Sequence, residues 1–250
     1  MGRCKEIEIK VIPASVANPF VKKHHYSGKV VNNSQLHFGA FLGGKLHGVL
    51  SYGPSMDKKK LIGLVEGTPW NGFIELNIMA FDSYLPRNSE SYCIGKTLRM
   101  IRKQTPQIKW VVSFADGTQC GDGTIYRASN FVLTGITPNK TIIRMPDGST
   151  VADITLNSQQ PTIKAKYDRM CGLDPSKSYT RNDYIKQGGA EMMKGFMLRY
   201  VYFVDPKWRK RLTVPEIPFT KIDELGAGMY KGENVTMAER HAKKTEKKET

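Results

Sequence analysis

At 250 residues, with 40% hydrophobic and 24% charged side chains, the chain has the composition of a globular protein able to bury a sizeable core. No apolar run approaches the length of a membrane span. Lys and Arg outnumber Asp and Glu by 38 to 23, a formal net charge of +15, which favours a polyanionic partner such as nucleic acid, and without a spanning run no membrane partner is expected. The four cysteines, Cys4, Cys93, Cys120 and Cys171, show no CxxC pairing, which speaks against a zinc site and a disulfide framework.

The opening MGRCKEIEIK lacks the apolar centre of a signal peptide, so a cytoplasmic location is expected. In chain order the pattern predicts a strand near Glu8 to Ile12 and a helix from Ser15, as N-cap, toward His25. A hairpin follows, with strands Leu36 to Leu42 and Leu46 to Tyr52 around Gly43-Gly44, a strong two-residue turn signal. Lys58 to Glu66 reads as a short helix, and FIELNIMAF from Phe73 to Phe81 as a strand with Glu75 among its polar positions. A helix is expected from Ser89 to Lys103. The β-branched, apolar run IKWVVSFA from Ile108 reads as a strand buried on both faces.

Beyond it, Gly123 to Asn130 reads as a helix, and two short strands flank Pro146-Asp147-Gly148. Leu156 to Gly189 is polar and irregular in pattern, and FMLRYVYFV from Phe196 reads as a last strand. Residues 1–225 are therefore expected to form one domain with an irregular insertion at about 156–190. Residues 226–250 are expected to form a basic tail, disordered or a fraying helix. The chain is compatible with a homodimer.

Several places carry chemistry. SFADGTQCGDGTIYRASNF, from Ser113, delivers Asp116 where the buried strand meets a glycine-rich turn and Tyr126 on the helix that follows, as at an active-site edge. Arg87, Asn88, Ser89 and Ser91 open an amphipathic helix directly after a strand, where free backbone N–H groups and the helix dipole suit an anion. Simple N-capping by Asn88 or Ser89 explains the same residues equally well. His24, His25 and Tyr26 end the first helix, and adjacent histidines point different ways, so at most one faces a given site. His37 and His47 fall in the hairpin strands and read as structural or surface residues. Basic runs recur at Lys58 to Lys60, Arg99 to Lys103, Lys164 to Arg169 and Lys207 to Arg211.

The order of these elements, with a helix ending in Tyr-x-x-Ser-Asn-Phe, resembles the GNAT acyltransferase superfamily. HHYS from His24, IELNIMA from Ile74, LPRNSES from Leu85, VVSFADG from Val111 and GTIYRASNFVLTG from Gly123 more closely resemble the Mom family of bacteriophage DNA-modification proteins. The resemblance implies a GNAT-like α/β (α+β) fold, a mixed, largely antiparallel central sheet flanked by helices. It also implies conversion of the N6 amine of adenine in double-stranded DNA to a carbamoylmethyl (acetamido) form, which protects phage DNA from host restriction.

By the same resemblance His25 and Tyr26, Glu75, Asp116 and Tyr126 are the catalytic set, and Arg87 through Ser91 replaces the loop that wraps the pyrophosphate of coenzyme A. That loop departs from the usual Gln/Arg-x-x-Gly-x-Gly/Ala pattern. Acetyl-CoA or another acyl donor, and iron, are the cofactors implied, although no residue pattern reads as an iron triad. The adenine is expected to flip into a pocket floored by Glu75 and Asp116, with Tyr26 or Tyr126 as aromatic walls and Asp116 or His25 as base. Two other readings fit parts of the sequence: a conventional GNAT N-acetyltransferase for a protein, tRNA or small amine, and a non-catalytic DNA-binding protein.

Overall fold

A computed structural model describes residues 3–157, 161–230, 233–236 and 238–239. The chain divides into two compact units. The first comprises 1–115, 123–135 and 198–222, and the second 116–122, 136–197 and 223–250.

The elements of the first unit follow the sequence pattern closely. They are strand β1 (Glu8–Ile12), helix α1 (Ala14–His24), strands β2 (Leu36–Leu42) and β3 (Lys45–Gly53), the single turn α2 (Lys58–Leu61), strand β4 (Phe73–Phe81), helix α3 (Ser89–Gln104), strand β5 (Trp110–Asp116), the turn α4 (Thr124–Arg127) and strand β6 (Val132–Pro138). The first helix starts one residue before Ser15, after Pro13, so Ser15 is not its cap. The β2–β3 turn is as expected, with Gly43 at φ +59° and Gly44 at φ +78°, the left-handed pair that such a hairpin requires. The helix expected over Gly123 to Asn130 is a single turn.

After β6 come strands β7 (Ile142–Arg144) and β8 (Thr150–Ala152), helices α5 (Asp153–Leu156), α6 (Pro161–Met170) and α7 (Arg181–Lys186), strands β9 (Glu191–Met192) and β10 (Phe196–Phe203), helix α8 (Thr220–Glu224), and strands β11 (Met229–Tyr230) and β12 (Glu233–Asn234). The main sheet has the order β1-β2-β3-β4-β5-β10-β6. Neighbours are antiparallel from β1 through β4, and β4 to β5 is parallel, joined through α3. The fold class is therefore the expected one, a mixed and largely antiparallel sheet flanked by helices.

Burial fixes the layers. Ala17 and Val21 of α1 cluster with Ile12, Val49, Ile78 and Ala80. On α3 the buried residues Cys93, Ile94, Thr97, Leu98 and Ile101 repeat at three- and four-residue spacing, the stripe a helix lays on a sheet. Tyr52 is wholly buried and its hydroxyl meets Thr97 Oγ1 at 2.6 Å, tying β3 to α3. A further cluster joins Phe73, Trp110 and Val112 to Leu61, Leu64, Val65, Val201 and Phe203. Phe73 and Trp110 are stacked at 4.2 Å, and the indole N–H donates to Thr68 Oγ1.

The second unit has its own core of Ile143, Met145, Val151, Leu156, Cys171, Tyr184 and Ala190. It is built on a small sheet, β8-β7-β9, and on helices α6 and α7 in the stretch that reads as irregular in sequence. Helix α7 begins with a capping box between Thr180 and Asp183. The carboxyl of Asp168, fully buried, accepts from Lys164 Nζ and from the Tyr184 hydroxyl, each at 2.5 Å. The described part of the expected tail is also ordered: β11 and β12 form an antiparallel hairpin, with Ala227, Met229 and Val235 buried. The remaining basic residues, from 240 onward, lie outside the described residues.

Candidate active site

The parallel seam of the first unit is short. β4 and β5 pair only at Phe73–Trp110, Ile74–Val111 and Glu75–Val112, although both strands run on. Beyond the last pair, Ser113 Oγ donates to Leu76 O at 3.1 Å. At the same level β4 carries a bulge. Ser51 faces Ile78 while Tyr52 faces Leu76, leaving Asn77 as the extra residue. Two strands that part beside a bulge leave backbone groups without ladder partners, and a ligand can meet them there.

Glu75 stands at the edge of this opening. It is half-buried, and burial pushes its carboxyl above the ordinary glutamate value. Hydrogen bonds with Ser55 and Asn77 act in the opposite direction. Asn77 in turn accepts from Ser34 Oγ at 3.2 Å and donates to Pro54 O at 3.4 Å. Glu75 is thus positioned by polar residues of β4 and of the two loops at 33–34 and 54–55. No linear motif signals these supports.

His25 follows α1, with its ring 4.2 Å from that of Tyr26, and Tyr26 is 52% exposed. The Ser27 backbone N–H donates to His25 Nδ1 at 3.2 Å, and Ser27 Oγ lies 2.8 Å from the same nitrogen. A backbone N–H can only donate, so Nδ1 is an acceptor, and the neutral imidazole carries its proton on Nε2. Burial lowers the imidazole pKa to about 4, so near neutral pH His25 is uncharged and presents an N–H donor. The His24 ring instead lies against Phe20, with centroids 4.3 Å apart and planes tilted by 31°. Of the other histidines, His37 bonds Ser51 and His47 bonds Asp82 at 2.8 Å while stacking on Tyr84. Both are buried, so they are structural and not surface residues.

Tyr126 is 8% exposed, with its ring centroid 5.4 Å from Phe131 and 5.3 Å from Tyr200. The turn that carries it starts at Gly123, at φ +81°. A Cβ there would lie 2.5 Å from the Tyr200 ring, so glycine is required for both backbone and space.

At the start of α3, Asn88 is left-handed at φ +69° and no side chain caps the helix. Neither of the expected caps is made: Asn88 makes no side-chain cap hydrogen bond and the Ser89 hydroxyl turns back to donate to Pro86 O, as the Ser91 hydroxyl does to Asn88 O. The Ser89 N–H donates to Pro86 O at 3.2 Å, and among the described residues the Glu90 and Ser91 N–H groups have no side-chain acceptor, beside exposed Arg87 and with the Glu90 carboxyl in the same turn. This chemistry fits a phosphate-bearing donor.

In the second unit, Asp116 Oδ1 accepts from the Thr118 N–H at 3.0 Å and from Asn139 Nδ2 at 3.2 Å, and Oδ2 accepts from Gln119 Nε2 at 2.8 Å. The carboxylate organises its own loop, an Asx-type turn. The Asn139 contact spans 23 residues and has no sequence signal. Among the described residues no group of three or more His, Cys, Asp or Glu side chains could hold a metal ion. The described residues therefore do not fit the implied iron. No helix among them is long and apolar enough to cross a membrane.

The parted seam and the uncapped helix that follows β4 are features of a mixed-sheet α/β fold. Residues 6–221 match the family model described as the Mom protein family, and the chain belongs to that family. It is 35% identical over 209 residues, 83% of this chain and 80% of the other, to the "Methylcarbamoylase mom" of Escherichia phage Mu. Among solved structures it is similar to a Bacillus subtilis acetyltransferase in complex with CoA (TM-score 0.38, 11% identity, 79% of this chain and 97% of that one). It is also similar to the ribosomal-protein-S18-alanine N-acetyltransferase of Escherichia coli (TM-score 0.41, 8% identity, 79% and 94%).

Proposed function

We propose that this protein is a DNA-modifying transferase that converts the N6 amine of adenine in double-stranded DNA to the carbamoylmethyl form. The observation that carries the reading is its membership of the Mom family, with 35% identity to a protein named a methylcarbamoylase. The net charge of +15 suits a duplex polyanion. N6 is paired within the duplex and its lone pair is delocalised into the ring, so the base must leave the stack and the amine must lose a proton as the new N–C bond forms.

In this reading Glu75 takes the proton, because a carboxyl raised by burial is a stronger base than an ordinary one. His25 donates from Nε2 to the base or to the incoming group, and Tyr26 supplies a stacking face. Tyr126 is the proton donor on the leaving side. Asp116 acts through the loop it organises. A phosphate-bearing donor would be held by Arg87 and the first-turn amides of α3, with Asn88, Ser89 and Ser91 shaping that turn, so that N6 joins a methylene carbon of the donor as that carbon's bond to its leaving group breaks. When bound, such a donor supplies the activated carbon that the chain itself lacks. The source of the amide nitrogen belongs to the donor chemistry, because simple acetyl transfer to an amine does not give a carbamoylmethyl product.

The test is mass spectrometry of nucleosides digested from DNA of cells expressing the chain. Part of the deoxyadenosine should appear as the carbamoylmethyl derivative, and an unaltered pool overturns the reading. Glu75→Gln should abolish the product in a folded protein. Asp116→Asn, which keeps an oxygen for Thr118 and Asn139, should keep the fold and lower the yield less than Glu75→Gln does. Conventional acetylation of another amine rests on the same helix start, and coenzyme A affinity together with unmodified adenine would favour it.

A further inference from the structure

Two basic runs far apart in the sequence lie side by side in the first unit. Lys58, Lys59 and Lys60 form α2, and Lys207, Arg209, Lys210 and Arg211 lie in the short 3-10 helix Pro206–Arg211. The segments just after them are laced together. Val65 and Leu212 form an antiparallel bridge, Glu66 N–H donates to Arg211 O at 2.8 Å, and Thr213 N–H donates to Leu64 O at 3.0 Å. Beneath them Leu61, Leu64 and Val65 pack in one core with Trp208 and Leu212. The cations therefore stand on a fixed backbone and not on a waving tail.

Two indoles sit among them. Trp70 is 54% exposed, with Lys58 Nζ 4.7 Å above its ring. The Arg211 guanidinium lies 4.5 Å above Trp208. Both are cation–π contacts that hold a charge beside a flat apolar face. Of the acids nearby, Asp57 reaches Lys60 at 3.6 Å and Glu216 binds Arg209, while Asp205 caps the 3-10 helix by accepting the Lys207 backbone N–H and Glu66 stays exposed, so cations outnumber acids on this face. Among the described residues Lys58, Lys59, Lys207, Lys210 and Arg211 have no ion-pair partner. Unpaired cations on a rigid base, interleaved with an exposed indole, are the pattern of a surface that meets phosphates and the sugar edge between them.

We propose that the face formed by Lys58–Lys60, Trp70 and Lys207–Arg211 docks the sugar–phosphate backbone of duplex DNA. This rests on the DNA reading above and adds to it the surface that binds. Its contacts are to phosphate, so it contributes affinity that is independent of sequence and strongly dependent on salt.

The experiment is fluorescence anisotropy of a labelled duplex titrated with the full chain at several salt concentrations. The triple variant Lys59→Gln, Lys207→Gln, Lys210→Gln removes three exposed cations that make no ion pair. Each lost phosphate contact lowers the slope of log affinity against log salt by about 0.9, so the triple variant should lower it by ~2.7. A matched control, Arg99→Gln, Arg102→Gln, Lys103→Gln, removes the same charge from the exposed face of α3 and should change the slope by far less. Circular dichroism checks that both variants are folded.

An unchanged slope in the first triple, or an equal fall in the control, overturns the proposal. So does single-stranded RNA of equal length displacing the duplex more effectively than unlabelled duplex. The nucleoside digest separates this failure from failure of the functional reading. Modified adenine with no effect of the first triple sinks the surface alone. Unaltered adenine with the expected slope change sinks the reading and leaves a duplex-binding face.

Discussion

Replacing Gly123 with Ala tests the geometry that holds Tyr126. Gly123 sits at φ +81°, and an added Cβ would meet the Tyr200 ring at 2.5 and 2.9 Å and Tyr126 Cδ2 at 3.0 Å. Placing a Cβ in the left-handed region costs about 1–2 kcal/mol, and forcing a methyl into packed rings adds about 1–3 kcal/mol. The sum is roughly 2–5 kcal/mol, a large share of the stability of an ordinary domain. Gly43 in the same unit supplies the control: its φ is +59° and nothing lies within 4 Å of the added Cβ. Gly43→Ala therefore carries the backbone cost alone, about 1–2 kcal/mol. Urea unfolding of both variants gives the steric part as a difference. If Gly123→Ala costs no more than Gly43→Ala, the rings are not packed as described, and the placement of Tyr126 is refuted.

The pH dependence of DNA modification tests whether Glu75 takes the N6 proton. A base works only when deprotonated, so activity is full at high pH and lost as pH falls through its pKa. Burial raises Glu75 above its ordinary value of 4.5, whereas burial lowers His25 to about 4. An acid limb above 4.5 supports Glu75 as base, and activity that persists undiminished below that pH refutes the assignment. In the second unit, Asp168→Ala leaves the Lys164 and Tyr184 donors without their buried acceptor and should cost about 3–5 kcal/mol. Tyr184→Phe removes one hydrogen bond and should cost about 1–2 kcal/mol. Chemical unfolding of each variant measures both, and a loss below about 1 kcal/mol for Asp168→Ala would show that the buried cluster contributes little.

What was legible in the sequence was whatever depends on neighbours along the chain. Alternation in Leu36 to Tyr52, the Gly43-Gly44 turn and the stripe on α3 gave strands, hairpin and helix nearly to the residue. Helices α6 and α7 were missed because their residues are mostly polar, and the apolar few, such as Tyr184 and Met170, find their partners only in the folded core. The hairpin at β11 and β12 was hidden by its short strands and by the charged residues that follow.

At the candidate site the residue types were readable and their supports were not. Asp116 was visible as an acid at a strand end, but the third donor to its carboxyl comes from Asn139. His25 was visible as a ring beside a tyrosine, but the nitrogen that carries its proton is set by the fold of Ser27. Glu75 owes its raised pKa to burial that a strand pattern does not encode.

The seam of only three residue pairs between β4 and β5 also makes the main sheet a poor conductor of cooperativity. Amides on the β5-facing edge of β4 beyond Leu76 lack a strand partner in the free protein and should exchange with solvent faster than those facing β3. A donor that enters the seam would supply the missing acceptors, and protection should rise on binding at those amides between Ile78 and Ala80 that face β5, and not at their β3-facing neighbours. The strand edge would then report occupancy directly, before any product is made.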